Sequence, residues 1–170
     1  SIGISVYPGD ASDIDTLLKH AGQGMYAAKK HGRNRCFYFT ASLQEAAQTR
    51  LKLSRDLREA IAARQFVAHF QPIVELSSGR TCKAEALLRW RHPTRGLVNP
   101  MDFIPLAEET GLINEIGEWV LMESARRVQA WRDEFGDDFQ VSINMSPVQF
   151  RAEGRPRTQA WLRHLQAIGL

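Results

Sequence analysis

The residues from Lys83 to Trp90 combine charged groups with a strand-like pattern, in the sequence KAEALLRW. Side chains alternate across a β-strand, so this run presents two different faces. One face carries Lys83, Glu85, Leu87 and Arg89, and the other carries Ala84, Ala86, Leu88 and Trp90. The apolar face is predicted to pack under helices. Four strand residues span roughly 13 Å, so Glu85 and Arg89 need separate partners, which are either a metal or ligand or, for Glu85, an internal charged group.

Five further motifs surround this strand. They are Phe70-Gln71-Pro72-Ile73-Val74, Arg91-His92-Pro93, Phe103-Ile104-Pro105, Ala107-Glu108-Glu109-Thr110-Gly111-Leu112-Ile113 and Ser142-Ile143-Asn144-Met145-Ser146. Together with the run EALLRW at 85–90, they resemble in order and spacing the EAL domains, which hydrolyse the bacterial messenger cyclic di-GMP. The three letters E-A-L alone would be weak support, whereas matches spread over this length are specific.

The resemblance implies an α/β fold, a (β/α)8 barrel of TIM type with one reversed strand. Such a barrel takes about 250 residues, so residues 51–170 are expected to form its N-terminal half. The hairpin predicted from strands at about 67–75 and 81–90, around the turn at 77–79, would supply the reversed strand. Asp102 is predicted to cap a short helix that ends at Thr110. A longer helix over 113–135 and a strand over 140–146 follow it.

The predicted strand 140–146 again divides by face, with Ser142, Asn144 and Ser146 on its polar side. Active groups collect at the carboxyl ends of barrel strands, so Glu85 and Asn144 are expected to meet at one rim. Carboxylate and amide oxygens are hard ligands that suit Mg²⁺ or Mn²⁺. The resemblance implies that both residues bind this metal; judged without it, Asn144 fits a turn cap at a strand end.

The resemblance further implies that Gln71 and Arg89 contact the bound dinucleotide. Arginine suits phosphate because its planar fork donates two parallel, charge-assisted hydrogen bonds. Leu87 either lines the same groove or belongs to the core. His92 precedes Pro93 in a loop without an evident orienting acid, and is interpreted as structural.

Residues 1–40 resemble the C-terminal end of a GGDEF domain, the diguanylate cyclase fold, through its last strand and helix. Helical spacing of apolar residues begins at Ile14, with Ser12 or Asp13 as the cap and Gly32 as the end. The run YAAKKHGRN at 26–34 matches the family's final motif, which implies that Lys29 and Arg33 touch nucleotide phosphates. The alternative is that these cations complement the helix macrodipole.

Residues 41–64 are predicted to form one connecting helix that overlaps the start of the EAL portion. It acts either as a spacer or as a transmitter of motion. Both chain ends look cut from a longer protein, and the metal ligands and general base still required are expected beyond Leu170.

Composition indicates an ordinary globular protein, since 44% of residues are hydrophobic and 24% are charged. The net charge of +3 is mild, which argues against a nucleic-acid partner. The densest basic group, at Arg151, Arg155, Arg157 and Arg163, is interpreted as a solvated helix face. Cys36 and Cys82 lack metal-ligand spacing and no long apolar stretch occurs, so a cytoplasmic location is expected, with any membrane anchor upstream.

The leading hypothesis is a fragment of a tandem GGDEF–EAL protein whose intact barrel is a metal-dependent phosphodiesterase that converts cyclic di-GMP to linear pGpG. The truncated chain alone is expected to be inactive. The alternative is a degenerate EAL domain that acts as a cyclic di-GMP receptor, and a third possibility is an enzyme regulated by its GGDEF part. Expected partners are cyclic di-GMP, GTP on an intact GGDEF domain, and a second copy through the EAL domain.

Overall fold

The computed structural model of the protein describes residues 1–150 and 155–170, with side chains described at 1–150 and 159–170. Of the basic group predicted above, Arg151 and the side chains of Arg155 and Arg157 lie outside the described residues, and Arg163 is exposed. Contacts divide the chain into two compact units, Ser1–Arg55 and Asp56–Leu170. None of the described helices is both long enough and apolar enough to cross a bilayer.

The first unit is a two-stranded parallel sheet with a helix between its strands. Strand β1 (Ile2–Ile4) pairs with β2 (Cys36–Tyr38), and α1 (Ile14–Lys30) connects them. Asp13 caps α1, because its Oδ1 accepts a 2.8 Å bond from the Thr16 backbone N–H. This hydrogen bond lowers the pKa of the Asp13 carboxyl below its usual range. Gly32 follows the helix with φ +96°, so both predicted ends of α1 are confirmed.

Helix α2 (Ala41–Ala60) is shorter than the predicted helix over 41–64. The chain leaves the helix through Arg64, whose φ of 53° is left-handed. The backbone N–H of Gln65 then donates to the Ala60 carbonyl at 2.9 Å, which satisfies one of the last helical acceptors. A residue other than glycine rarely adopts the left-handed conformation, so this helix end is hard to predict from the sequence.

The second unit contains one mixed sheet and its covering helices. Its elements are β3 (Phe66–Val74), β4 (Thr81–His92), β5 (Gly96–Val98), α3 (Pro100–Thr110), α4 (Ile113–Phe135), β6 (Gln140–Ile143), a 3₁₀ turn (Pro147–Phe150) and α5 (Arg155–Ala167). Strand β3 runs antiparallel to β4, which confirms the predicted hairpin and the reversed strand. Strands β5 and β6 both pair with β4, β5 antiparallel and β6 parallel to it. The result is the α/β partial barrel that the sequence predicts.

The apolar face of β4 is buried as predicted, except that Leu88 is only half-buried. Ala84, Ala86 and Trp90 are inaccessible to solvent or nearly so, and α3 and α4 both contact this strand. The Trp90 ring packs against Phe66 and Phe103, and its indole N–H donates to Gln65 Oε1 at 2.9 Å. This aromatic cluster fixes β4 under the helices, and so determines which strand face remains for polar groups.

Three further features of the second unit differ from the prediction. Asn99, and not Asp102, caps α3, because Pro100 occupies the first helical position and the Met101 N–H donates to Asn99 Oδ1 at 3.0 Å. Strand β5 was not predicted, since three residues are too few to show alternation. Strand β6 ends at Ile143 and not at residue 146, because the backbone that follows hydrogen-bonds within its own turn.

Candidate functional site

The candidate site is built from the polar face of β4 and the residues that follow β6. Glu85 pairs in register with Ser142 on β6. Asn144 lies two residues after Ser142, just past the end of β6. The Asn144 amide Nδ2 donates to Glu85 Oε1 at 2.6 Å, although the two residues lie 59 positions apart. The meeting of these side chains at the carboxyl end of β6 is the arrangement that the sequence predicts.

Strand β3 places Gln71 directly opposite Glu85 in the antiparallel register. Gln71 and Asn144 are exposed, whereas Glu85, Leu87 and Arg89 are half-buried. Arg89 Nη1 donates to the Leu88 carbonyl at 2.8 Å, so its guanidinium rests against its own strand. The structure therefore brings the side chains predicted to hold metal and dinucleotide onto one solvent-accessible sheet face.

The side-chain oxygens of Glu85 and Asn144 are the ligand type that a hard cation prefers, but two oxygens are too few to complete its coordination. Glu85 offers a carboxylate, and a half-turn of the Asn144 amide about its last side-chain bond exchanges the donor Nδ2 for the acceptor Oδ1. Across the residues that the structure describes, no group of three His, Cys, Asp or Glu side chains is placed to hold a metal ion. A six-coordinate Mg²⁺ would need oxygen atoms besides these two.

His92 has an acidic partner that the sequence did not reveal. Its Nε2 lies 3.0 Å from Asp56 Oδ2, and its Nδ1 accepts from the Thr94 backbone N–H at 3.2 Å. Because Nδ1 accepts, the ring proton belongs on Nε2, where it is donated to Asp56. His92 lies seven positions along β4 from Glu85, a distance of roughly 23 Å. The histidine therefore does not belong to the candidate site.

Sequence reasoning also missed the contacts behind Asn144. Ser146 Oγ donates to Glu108 Oε1 at 2.6 Å, and Gln149 is buried to 3% exposure beside them. Glu108 and Ser146 both lie within the motifs that support the resemblance, and this was the only feature of the sequence that drew attention to them. Nothing in the sequence indicated that they touch.

The two cations predicted to contact phosphate in the first unit are both exposed. Lys29 lies in the last turn of α1. Arg33 follows that helix with φ 58°, and its backbone N–H donates to the Ala28 carbonyl at 3.0 Å. Their predicted role toward a nucleotide stays a prediction.

Comparisons with known proteins agree with this architecture. A family model described as "EAL domain" matches residues 54–168, and one described as "Diguanylate cyclase, GGDEF domain" matches residues 1–35. The chain is 45% identical over 166 residues to "Bifunctional diguanylate cyclase/cyclic di-GMP phosphodiesterase MucR" of Pseudomonas aeruginosa, which covers 96% of this chain and 24% of that protein. It is 40% identical over 149 residues to "Cyclic di-GMP phosphodiesterase PdeR" of Escherichia coli, which covers 88% of this chain and 22% of that protein.

A solved structure, "PaMucR Phosphodiesterase, c-di-GMP complex", shares the fold with a TM-score of 0.61 and 42% identity, and the match covers 68% of this chain and 47% of that one. The chain spans less than a quarter of the length of the curated relatives named above. The order of the matched regions, GGDEF and then EAL, is the order predicted from the motifs. The chain thus belongs to the EAL domain family, with the end of a GGDEF domain preceding its EAL portion.

Proposed function

We propose that this chain contributes one half of the active site of a phosphodiesterase that hydrolyses cyclic di-GMP to linear pGpG. The observation that carries the proposal is the contact between Glu85, which lies within β4, and Asn144, just past the end of the parallel strand β6. Two relatives with at least 40% identity are named cyclic di-GMP phosphodiesterases, which supports the same activity.

In this proposal Glu85 and Asn144 hold Mg²⁺ or Mn²⁺ through their side-chain oxygens. Such an ion, when bound, polarises the phosphodiester and lowers the pKa of a bound water. The half-buried carboxylate of Glu85 is the stronger ligand because it carries full charge in a partly desolvated position. Asn144, just past the end of the neighbouring strand β6, adds a neutral oxygen once its amide has made the half-turn described above.

The dinucleotide is held along the same sheet face. Arg89 leaves its bond to the Leu88 carbonyl and turns its fork toward a phosphate, where two bonds to an anionic acceptor replace one bond to a neutral carbonyl. Gln71, opposite Glu85, offers an amide donor and acceptor to the ligand, and Leu87 provides the apolar floor between Glu85 and Arg89. The face can therefore position one phosphate near Glu85 and leave the guanine bases to other contacts.

The proposal extends to the partners of the longer protein. GTP would be bound by a complete GGDEF domain, to which Lys29 and Arg33 belong, and a second copy would pair through the EAL domain. The five letters GGDEF do not occur in this sequence, so no cyclase activity is proposed for the chain.

The test measures hydrolysis by the full-length protein with Mg²⁺. Glu85→Ala and Asn144→Ala should each abolish hydrolysis while leaving far-UV circular dichroism unchanged, since both side chains lie at the solvent-accessible face. Ser142→Ala is the matched control: Ser142 is exposed and opposes Glu85 in register, and its loss should leave turnover near the wild-type value. Substantial Mg²⁺-dependent turnover in either ligand variant would refute the assignment.

A further inference from the structure

The turn after β6 is held by a serine whose hydroxyl is used twice. Ser146 Oγ donates to Glu108 Oε1 on α3 at 2.6 Å and accepts from the Val148 backbone N–H at 3.1 Å. The bond to Glu108 joins residues 38 positions apart and involves a carboxylate, which makes it stronger than a neutral hydroxyl bond. The hydroxyl thereby ties the turn to the neighbouring helix.

The backbone N–H and carbonyl of Ser146 are also hydrogen-bonded. Its N–H donates to Gln149 Oε1 at 2.8 Å, and its carbonyl accepts from the Gln149 N–H at 3.0 Å. Gln149 itself is only 3% exposed. All three polar groups of Ser146 are therefore engaged, and two of them depend on one buried glutamine.

Gly117 of helix α4 leaves space for the Gln149 side chain. A Cβ atom added at Gly117 would lie 2.1 Å from Gln149 Nε2 and 3.1 Å from its Cδ. Gln149 Nε2 has no hydrogen-bond partner among the residues that the structure describes. Since glycine is unfavourable inside a helix, its presence at 117 is explained by the close approach of the amide.

We infer that Glu108, Ser146 and Gln149, here called the Ser146 latch, are positioning residues that set the reach of Asn144 toward Glu85. Ile143 is fixed in the ladder opposite Ala86, and Ser146 is fixed by the latch. Only Asn144 and Met145 lie between these two anchors, so the latch limits where the Asn144 side chain can go. The inference rests on the proposed function, because the consequence of the latch is the affinity of the metal site.

The first experiment measures Mn²⁺ affinity of the full-length protein by electron paramagnetic resonance, without substrate. Ser146→Ala and Glu108→Ala should weaken Mn²⁺ binding about 10- to 100-fold, the usual effect of losing a group that orients a ligand. Glu108→Gln should restore most of the affinity, because its Oε1 still accepts from the serine hydroxyl.

Thr110→Val is the control for a general loss of stability. Thr110 lies on the same helix, and its Oγ1 donates to the Leu106 carbonyl at 2.7 Å without reaching the turn. This variant should lose a hydroxyl hydrogen bond of the same helix and keep wild-type Mn²⁺ affinity. Wild-type affinity in both Ser146→Ala and Glu108→Ala, with Asn144→Ala impaired, would overturn the latch and leave the proposed function standing.

The second experiment needs no metal and reports on the latch alone. Gly117→Ala should displace Gln149 and accelerate hydrogen exchange of the Ser146 backbone amide, which is donated to the Gln149 side chain. Thr110→Val should leave that exchange rate unchanged. Unaltered exchange in Gly117→Ala would overturn the latch, whereas wild-type Mn²⁺ affinity in Asn144→Ala would overturn the proposed function instead.

Discussion

At the residue scale, the proposed function gives two residues on the polar face of β4 different roles: Glu85 binds the metal and Arg89 binds the dinucleotide. Under the proposed function, Arg89→Ala would remove charge-assisted bonds to the dinucleotide, each worth roughly 1.5 to 3 kcal/mol. Dinucleotide affinity should fall at least about tenfold, while Mn²⁺ affinity stays near its original value. Glu85→Ala should do the reverse. Separate titrations of metal and cyclic di-GMP into both variants of the full-length protein measure this.

Lys83→Ala controls for the loss of positive charge in this prediction. Lys83 shares the β4 face with Arg89 and is exposed, but lies on the opposite side of Glu85 along the strand. Its removal should change dinucleotide affinity only slightly at 0.15 M salt, where exposed charges are largely screened. Unchanged cyclic di-GMP affinity in Arg89→Ala would show that the proposed orientation of this polar face is wrong.

Strand alternation was sufficient to predict which β4 side chains share a face. The expectation that Glu85 and Asn144 meet was confirmed, but only Asn144 follows the carboxyl end of its strand, whereas Glu85 lies within β4. The partners of His92 and Ser146 were not predictable. Asp56 and Glu108 lie 36 and 38 positions away from them, and such contacts depend on how helices pack, which periodicity does not specify.

At the element scale, α1 contains two glycines in different surroundings. A Cβ added at Gly22 would meet nothing within 4 Å, whereas one at Gly24 would lie 2.7 Å from the Phe37 carbonyl oxygen. Gly22→Ala should therefore stabilise the helix by about 1 kcal/mol through helix propensity. Gly24→Ala gains the same propensity but should destabilise by about 1 to 3 kcal/mol because the strand must move.

Hydrogen exchange of the α1 backbone amides in the full-length protein measures both changes. Slower exchange in Gly22→Ala and faster exchange in Gly24→Ala are expected, and each variant serves as the control for the other. Equal effects of the two substitutions would contradict the close approach of α1 to β2.

Long periodic elements were the best predicted. Helices α1 and α4 each contain several turns of apolar spacing, and α1 has both a side-chain cap and a terminal glycine. Ends set by unusual backbone were misplaced, as at Arg64, where a left-handed residue closes α2. The cap of α3 was misplaced because Asp102 suits the first turn of a helix as well as a cap, and only Pro100 argues for Asn99.

At the scale of the whole molecule, the sheet order follows from two properties of β4. Its twelve residues offer one edge to β3 along most of their length and the other edge to β6 and β5 in succession. Its apolar face is covered by α3 and α4, so the opposite face is left to polar groups. The mixed α/β character was predictable from the alternation of hairpin, helix and strand, but the pairing of β5 was not.

Replacement of Mg²⁺ by Ca²⁺ in the full-length protein should separate the binding of cyclic di-GMP from its hydrolysis. In the proposed site, the oxygen donors of Glu85 and Asn144 would accept Ca²⁺ as well as Mg²⁺, but Ca²⁺ takes more ligands at longer distances and in looser geometry. Cyclic di-GMP should therefore still bind in Ca²⁺, whereas hydrolysis should stop and return when Mg²⁺ replaces it. Calorimetry of binding and chromatography of pGpG measure the two quantities on one sample.

Two comparisons make this prediction specific to the proposed site. Chelation of all divalent ions should abolish hydrolysis in the wild type, and Asn144→Ala should bind Ca²⁺ more weakly while Ser142→Ala should not. Turnover in Ca²⁺ at the Mg²⁺ rate would contradict the prediction. Hydrolysis would then be insensitive to the coordination geometry of the ion, and so would not depend on the fixed placement of Glu85 and Asn144. Loss of dinucleotide binding in Ca²⁺ would instead show that the ligand contacts depend on the tighter Mg²⁺ geometry.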